Sequence, residues 1–327
     1  MRVATLRLIV QAALLALLVY AGLFGMRRLM VAGVEPTLPT LSCEYGRPIA
    51  KCFVYDLEYL LSRDASRHYR GLVEPLLFFV GLGLVFGRSW CGWACPLGFV
   101  QDLATRLRER LRGPHWILSP RLRTGLLVAA NVILVTFLLL ALLMGWPSSR
   151  LYALRNDLFR PYCLICPSKQ LSPLLTGQWG GFLHIDPYSR VTIGMSWLGI
   201  AVFLAVVALM WFVPRIWCRL CAMGLLMRHA QLNALSVLSL RKDVVRCTGC
   251  GNCSRACPVG IREVWLEREA DDATRPDCVL CLRCVEACPE DDVLRAQLLQ
   301  RPIFASSYRY FAGQRRRRED SASRKGD

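Results

Sequence analysis

Histidine is scarce in this sequence, and several familiar catalytic motifs are missing. Only four histidines occur in 327 residues, and no CxxCH haem-attachment motif is present. No two of them lie in facing apolar segments, so haem held by two histidines is disfavoured. The chain also has no Walker A motif, dinucleotide fingerprint or nucleophile elbow. No residue is placed as a catalytic acid, base or nucleophile. The four histidines are His68, His115, His184 and His229.

Acidic residues are also few, with 24 Asp and Glu against 41 Lys and Arg, which gives a formal charge of +17. Such a charge is compatible with nucleic-acid binding. Here, however, the arginines flank apolar blocks or form the run Arg315–Arg318. In those places they orient a membrane protein and contact lipid headgroups. Because 54% of the residues are hydrophobic and lie in blocks, we expect the partner to be a lipid bilayer and not nucleic acid.

Apolar residues form blocks long enough to cross a bilayer, whose ~30 Å core needs about 20 helical residues. We interpret the first block as an anchor because no small-residue cleavage site follows it. The four predicted spans are Leu6–Gly25, Leu72–Val100, Thr124–Trp146 and Met195–Trp217.

The connection between the second and third spans is short and strongly basic, so the positive-inside rule places it in the cytoplasm. Both termini are then cytoplasmic, and loops 26–71 and 147–194 are outside. The first outer loop is itself basic, but cluster assembly requires a cytoplasmic C-terminal segment. The basic connection contains Arg106, Arg108, Arg110, Arg112, Arg121 and Arg123.

The chain repeats one unit: a span, an outer loop with two cysteines, a second span and an inner cysteine pair. Half one reads Arg88-x-Trp-Cys91, then Cys95 and Gly98. Half two reads Arg215-x-Trp-Cys218, then Cys221 and Gly224. The shared pattern predicts a duplicated two-helix unit.

The clearest motif is a pair of CxxCxxCxxxCP runs in the C-terminal part of the chain. In this arrangement three closely spaced thiolates hold one 4Fe–4S cluster, and the fourth cysteine crosses to the other cluster. Structural zinc is the alternative for such cysteines, but two tandem runs argue against it. The predicted ligands are Cys247, Cys250, Cys253 and Cys288 for cluster 1, and Cys278, Cys281, Cys284 and Cys257 for cluster 2.

The inner quartet consists of Cys91, Cys95, Cys218 and Cys221, which the duplication predicts to converge. Spacings of four and three place each pair on one helix face. Arg88 and Arg215 lie three residues before each pair. The quartet is either a third redox centre or transient metal site, or a set of buried thiols that pack as small apolar groups.

The outer quartet consists of Cys43, Cys52, Cys163 and Cys166, two from each outer loop. Three interpretations remain open. These cysteines hold a fourth cluster or metal at the outer face, or they form disulfides. Alternatively, Cys163 and Cys166 form a redox-active CxxC pair that exchanges thiols with a partner.

Residues 70–312 resemble the NapH/NosR/CcoG group of membrane polyferredoxins, on Trp90-Cys91-x3-Cys95-Pro-x-Gly98, the later related motif and the two ferredoxin motifs. The second membrane motif is one residue shorter and lacks the proline. The resemblance implies a bacterial inner-membrane protein with cytoplasmic clusters, linked to quinol oxidation, reductase maturation or metal reduction.

We therefore expect an all-α membrane domain of four transmembrane helices, built from a duplicated two-helix unit, plus an α+β two-cluster bacterial-type ferredoxin domain. The expected function is electron transfer between the cytoplasmic side and a quinone pool or an extracytoplasmic redox partner. The alternative is a maturation or regulatory factor that reduces a metal or disulfide for an extracytoplasmic enzyme. The expected domains are residues 1–240, residues 241–312 and a basic tail at residues 313–327.

Overall fold

The computed structural model describes most of the membrane part and nearly all of the ferredoxin part of the chain. Most of the basic tail, the stretch 21–36 and three of the four histidines (His68, His115 and His184) lie outside the described residues. The described residues are 3–20, 37–38, 43, 51–62, 69–114, 116, 118–158, 160–181, 183, 185–187, 189–230, 237–313 and 315.

In the part of the chain that the structure describes, two helices are long and apolar enough to cross a membrane: α6 (Pro120–Gly145) and α9 (Arg190–Phe212). Helix α6 begins where the Ser119 hydroxyl accepts the backbone N–H of Leu122. Helix α9 begins with a capping box between Ser189 and Thr192. Most side chains of both helices are exposed although the helices are apolar on all sides, as expected of surfaces that face lipid.

Two shorter apolar helices accompany them: α1 (Val3–Leu15), followed by a π-helical turn at Ala16–Tyr20, and α3 (Tyr69–Phe86). The second predicted span, 72–100, is not one continuous helix, and this prediction was wrong. The chain leaves the helix at Gly87, whose φ is +49°, because this left-handed conformation cannot continue a right-handed helix.

In each half of the chain, the helix that precedes the inner motif ends, and a short helix that carries the first cysteine of the inner pair follows. The second cysteine of each pair has an extended backbone, with φ −66° and ψ 114° at Cys95 and φ −65° and ψ 124° at Cys221. The prediction that each pair shares one helix face was therefore also wrong. These elements are α4 (Ser89–Trp93), α5 (Pro96–Arg110), α10 (Trp217–Leu220) and α11 (Ala222–Ala230).

The connections at the other end of the bundle also contain short elements. Strands β1 (Thr37–Leu38) and β2 (Lys51–Cys52) pair in parallel, and helix α2 (Phe53–Ser62) starts directly after Cys52. The remaining elements are a 3₁₀ turn at Arg150–Asn156, α7 (Pro161–Ile165), α8 (Ser168–Leu175) and a 3₁₀ turn at Trp179–Gly181.

The ferredoxin part is a three-stranded antiparallel sheet with three short helices that follow its cysteines. The sheet starts at Leu238, three residues before the expected boundary. The elements are β3 (Leu238–Lys242), α12 (Asn252–Arg255), α13 (Glu263–Leu266), α14 (Arg283–Ala287), β4 (Leu294–Leu298) and β5 (Arg301–Ala305). The strand order is β3-β4-β5.

A single hydrophobic core joins the two parts of the molecule. It extends from Phe79 and Met227 in the membrane part to Leu280 and Ala296 in the ferredoxin part. At Gly92 the backbones approach so closely that an added Cβ would lie 2.0 Å from the Val279 carbonyl oxygen. The ferredoxin part is therefore docked against the inner motifs.

Candidate iron–sulfur sites

The first ferredoxin cavity is lined by all four cysteines predicted for cluster 1. They are Cys247 and Cys250 from the loop before α12, Cys253 from α12, and Cys288 from the end of α14. Gly249 and Gly251 have φ of +72° and +73°, which lets the loop wind around the cavity. Burial raises the pKa of the Cys253 thiol to about 11.

The second cavity is lined by the predicted cluster 2 set, Cys257, Cys278, Cys281 and Cys284, and also by Cys253. Backbone amides point at its sulfurs: Ile261 N lies 3.3 Å from Cys257 Sγ, and Leu280 N lies 3.4 Å from Cys278 Sγ. Burial raises the pKa of the Cys278 thiol, and the neighbouring thiols raise it further. Cys257 and Cys288 each lie at the cavity of the opposite run, as the crossed pattern requires.

The geometry of these cavities can be compared with the needs of two ligands, a single zinc ion and a 4Fe–4S cube. Among the described residues, no three Cys, His, Asp or Glu side chains converge as ligands of a single ion. A 4Fe–4S cube takes one thiolate at each iron, so its four sulfur ligands stand further apart than those of zinc. Four cysteines around an apolar cavity with amides aimed at sulfur therefore fit the cube better than zinc.

The inner quartet converges between α5, α10 and α11. Cys95 interacts electrostatically with the three other members, Cys91, Cys218 and Cys221, and three of the four thiols are buried. Gly98 N lies 3.3 Å from Cys95 Sγ, and the side-chain amide of Gln101 lies 3.6 Å from Cys218 Sγ. Hydrogen bonds to sulfur are typical of protein sites that hold iron–sulfur clusters.

A buried ion network surrounds this quartet, and its acidic member was not found from the sequence. Asp102 accepts hydrogen bonds from Arg215 at 3.0 and 2.6 Å and lies 3.4 Å from Arg7. Burial alone would raise the pKa of Asp102, but the two guanidiniums outweigh it and hold the pKa below its usual range. Asp102 lies eleven residues after Cys91, which is not a recognised spacing, and its partner Arg215 is distant along the chain. No pattern in the sequence therefore pointed to Asp102.

The inner quartet lies against the second ferredoxin cavity. The Trp93 indole donates to the Leu280 carbonyl at 2.8 Å, and Arg7 donates to the Cys281 carbonyl at 3.0 Å. Three arginines from the membrane part also converge on Asp277, which precedes Cys278. They are Arg88, Arg123 and Arg228, at 3.5, 3.7 and 3.1 Å.

The outer quartet also converges. Cys163 interacts electrostatically with Cys43, Cys52 and Cys166. Below it, the Glu58 carboxylate accepts the backbone N–H groups of Tyr162 at 2.8 Å and Cys163 at 3.2 Å. Glu58 is 1% exposed and was not found from the sequence, where one Glu in an outer loop has no distinguishing pattern.

The one histidine among the described residues, His229, contacts the Asn131 side chain at 3.0 Å. It lies on α11 next to α6 and not at either quartet. Another buried polar group, Lys169 with Asp186 at 2.7 Å and Ser196 at 3.1 Å, ties α8 to α9.

Comparison with known proteins gives the family context of these sites. The family described as "4Fe-4S binding domain" matches residues 69–115 and 195–232, and the "4Fe-4S dicluster domain" matches residues 239–289. The putative electron transport protein YccM of Escherichia coli is 28% identical over 69% of this chain and 56% of its own length. The ferredoxin-type protein NapH of E. coli is 30% identical over 67% of this chain and 66% of its own.

This chain is a homologue of the ferredoxin-type 4Fe–4S membrane proteins of electron transport. Protein NirI of Paracoccus denitrificans is a further relative, 29% identical over 65% of this chain but only 27% of its own length. The chain spans little more than half of the length of YccM. No solved structure is significantly similar to it. The two segments matched by the first family each cover the second predicted span and the inner cysteine pair of one half of the duplication.

Proposed function

We propose that this protein is a membrane-bound iron–sulfur electron carrier with two clusters in the ferredoxin part and a third centre at the inner quartet. Cys247, Cys250, Cys253 and Cys288 hold the first cluster, and Cys278, Cys281, Cys284 and Cys257 hold the second. When bound, such clusters take up and release single electrons. A quinone or a redox protein on either face is the proposed exchange partner.

The observation that carries this proposal is the contact of the inner motif with the second ferredoxin cavity. Trp93 and Arg7 bond to the backbone at Leu280 and Cys281, and Leu280 is 1% exposed. These contacts bury the boundary between the inner quartet and the second ferredoxin cavity. They support the proposal that two redox centres lie close together.

The proposed orientation places the ferredoxin part in the cytoplasm, with four spans formed by α1, α3, α6 and α9. Arg123 of the basic connection binds Glu263 at 2.8 Å and the Gly260 carbonyl at 2.9 Å. The basic connection and the ferredoxin part therefore lie on the same face. The positive-inside rule supports the cytoplasm for that face.

The test is iron and acid-labile sulfide per chain on anaerobically purified protein, with EPR during stepwise reduction. We expect about four iron atoms fewer in the Cys91→Ala, Cys218→Ala double variant, since each cube contains about four. The two ferredoxin signals should remain. Ser89→Ala, in the same short helix as Cys91, is the matched control. Unchanged iron in the double variant would contradict the third centre.

A further inference from the structure

We propose that the outer quartet holds a further iron–sulfur cluster, and that this site lies inside the helix bundle beside the inner quartet. The iron–sulfur chemistry of this inference rests on the proposed function, but the position of the site is argued from separate contacts. Neither matched family segment contains Cys43, Cys52, Cys163 or Cys166. Below, the end of each long helix nearer the ferredoxin part is called proximal, and the other end is called distal.

The depth of α7 follows from its contact with α9. An added Cβ at Gly199 would lie 2.3 Å from the Leu164 carbonyl oxygen, so the two backbones touch there. Gly199 lies nine residues from the distal end of α9 at Arg190. At 1.5 Å per residue, α7 therefore lies about 14 Å inside that end. Phe137 of α6, which packs edge-on against Tyr162 at 5.9 Å, gives a similar depth.

The depth of α2 follows from both of its ends. Near its C-terminal end, an added Cβ at Gly145 would lie 1.9 Å from the Leu61 carbonyl oxygen, so this end lies at the distal end of α6. At its start, Phe53 stacks on Phe79 with ring centroids 4.1 Å apart. Phe79 lies ten residues from the distal end of α3, or about 15 Å inside it. Cys52, directly before Phe53, lies at that depth.

Helices α2 and α7 therefore reach into the bundle and bring Cys52 and the α7 cysteines to a common depth. Irregular backbone at such depth is tolerated in a membrane only where protein buries it. The two segments meet this condition, since Phe53 is 1% exposed and Leu164 is 5% exposed. The sequence-based expectation of a site at the outer face thus gives way to a site about halfway into the bundle.

The outer pair from α7 also repeats the backbone geometry of the inner pairs. Cys163 lies within a short helix, and Cys166 follows it in extended conformation with φ −69° and ψ 127°. Cys218 and Cys221 have the same arrangement, with φ −65° and ψ 124° at the second cysteine. Glu58 anchors the start of α7 through two backbone N–H groups and so acts as a positioning residue for Cys163.

Tyr162 connects the two quartets. Its hydroxyl accepts the backbone N–H of Ala222 at 2.9 Å, and Ala222 follows Cys221 directly. Cys166 and Cys221 interact electrostatically across this contact. One side chain and one hydrogen bond thus link the backbone beside Cys163 to the backbone beside Cys221. The structure therefore assigns four cysteine sites to one row that runs from the ferredoxin part into the membrane.

The chemistry of this site is argued from its ligands. Four cysteines offer only soft sulfur ligands, which favour iron–sulfur clusters, zinc or Cu(I). Among the described residues, no three metal-ligating side chains converge on a single ion. Of these three ligands, an iron–sulfur cluster is the one whose four sulfur ligands stand further apart than those around a single metal ion.

The experiment compares iron and acid-labile sulfide per chain in three forms of the full protein, purified without oxygen. With four sites, the unsubstituted chain holds about 16 iron atoms, and the Cys52→Ala, Cys163→Ala variant holds about 12. The inner double variant, Cys91→Ala with Cys218→Ala, separates the two proposals. If outer cysteine loss leaves iron unchanged, the inference fails and the proposed function stands. If inner loss leaves iron unchanged while outer loss removes about four atoms, the third centre fails and the inference stands.

Two further measurements keep the result independent of misfolding. The two ferredoxin EPR signals must persist in the outer variant, and Ser172→Ala in α8 must retain full iron. Spin–spin broadening of the inner centre should decrease when the outer cysteines are replaced, because only its coupling to the second ferredoxin centre then remains, and it should keep its full width in Tyr162→Phe. Titration of thiols in denaturant without reductant that finds Cys163 and Cys166 as a disulfide would overturn the inference.

Discussion

Arg88 and Arg215 reach across the duplication, and each donates a hydrogen bond to the carbonyl oxygen of the first inner cysteine of the other half. Arg88 binds the Cys218 carbonyl, and Arg215 binds the Cys91 carbonyl at 3.0 Å. Both arginines are at most 2% exposed. The exchange explains why the repeated motif begins with arginine. It clamps the halves together and places two cations beside the inner quartet, where they would offset the negative charge of the proposed third centre.

Removal of the Asp102 charge should destabilise this centre strongly. Asp102→Asn leaves Arg215 and Arg7 buried without their counter-ion, and breaking such a pair costs about 3–5 kcal/mol. We expect a lower midpoint temperature for loss of visible cluster absorbance. Asp292→Asn is the control, since Asp292 is exposed and pairs with Arg295 at 4.0 Å. Similar melting of the two variants would count against the network.

The pH dependence of this contribution has a defined sign. The folded-state pKa of Asp102 is below the ordinary aspartate value, which is about 3.9 in an unfolded chain. The stabilisation is therefore complete above that value and is lost as pH falls through the lowered folded-state pKa. Between neutral pH and about pH 5 the difference in stability between the unsubstituted chain and the Asp102→Asn variant should stay constant.

The sequence predicted what local spacing and composition determine. The two ferredoxin runs identified the cysteines that surround the two cavities, and apolar length identified α6 and α9. The break at Gly87 was missed because the apolar run continues through it and hydropathy does not report φ. The contacts of Asp102 with Arg215 and of Glu58 with Cys163 join residues more than 100 positions apart, so no pattern in a single sequence reports them.

Docking of the ferredoxin part should fail when Gly92 gains a side chain. The Cβ of Gly92→Ala would lie 2.0 Å from the Val279 carbonyl oxygen, and the nearest atoms around it are all backbone. Overpacking of this kind costs about 1–3 kcal/mol and moves the second cavity away from the inner quartet. The readout is spin–spin coupling between the second ferredoxin centre and the inner centre, which should weaken. Gly81→Ala, with nothing within 4 Å of the added Cβ, should leave the coupling unchanged.

The reduction potential of the inner centre should depend on Gln101. Its side-chain amide lies 3.6 Å from Cys218 Sγ, and hydrogen bonds to sulfur stabilise the more negative, reduced state of a cluster. Gln101→Leu should therefore lower the potential of that centre in an EPR redox titration and leave the ferredoxin potentials in place. Thr105→Val is the control, because the Thr105 hydroxyl donates to the Gln101 carbonyl at 2.9 Å and not to a sulfur atom of the described cysteines. An unchanged potential in the leucine variant would refute a role of this amide.

The re-entrant position of α7 depends on the absence of a side chain at Gly199. The Cβ of Gly199→Ala would lie 2.3 Å from the Leu164 carbonyl oxygen and 3.2 Å from the Ile165 Cα. Since backbone cannot yield as a flexible side chain does, α7 must move away from α9 and carry Cys163 and Cys166 with it. We expect this variant to lose about four iron atoms per chain, the content of one cube, while the ferredoxin EPR signals persist.

Gly194→Ala tests whether that loss is specific to the contact. It makes the same substitution five residues earlier in α9, where nothing lies within 4 Å of the added Cβ. Alanine in a helix interior is favoured over glycine by roughly 0.5–1 kcal/mol, so this variant should keep full iron and melt no lower than the unsubstituted chain. Equal iron loss in both variants would mean that α9 tolerates no substitution. Full iron in both would mean that the outer quartet does not depend on α7 packing at this depth.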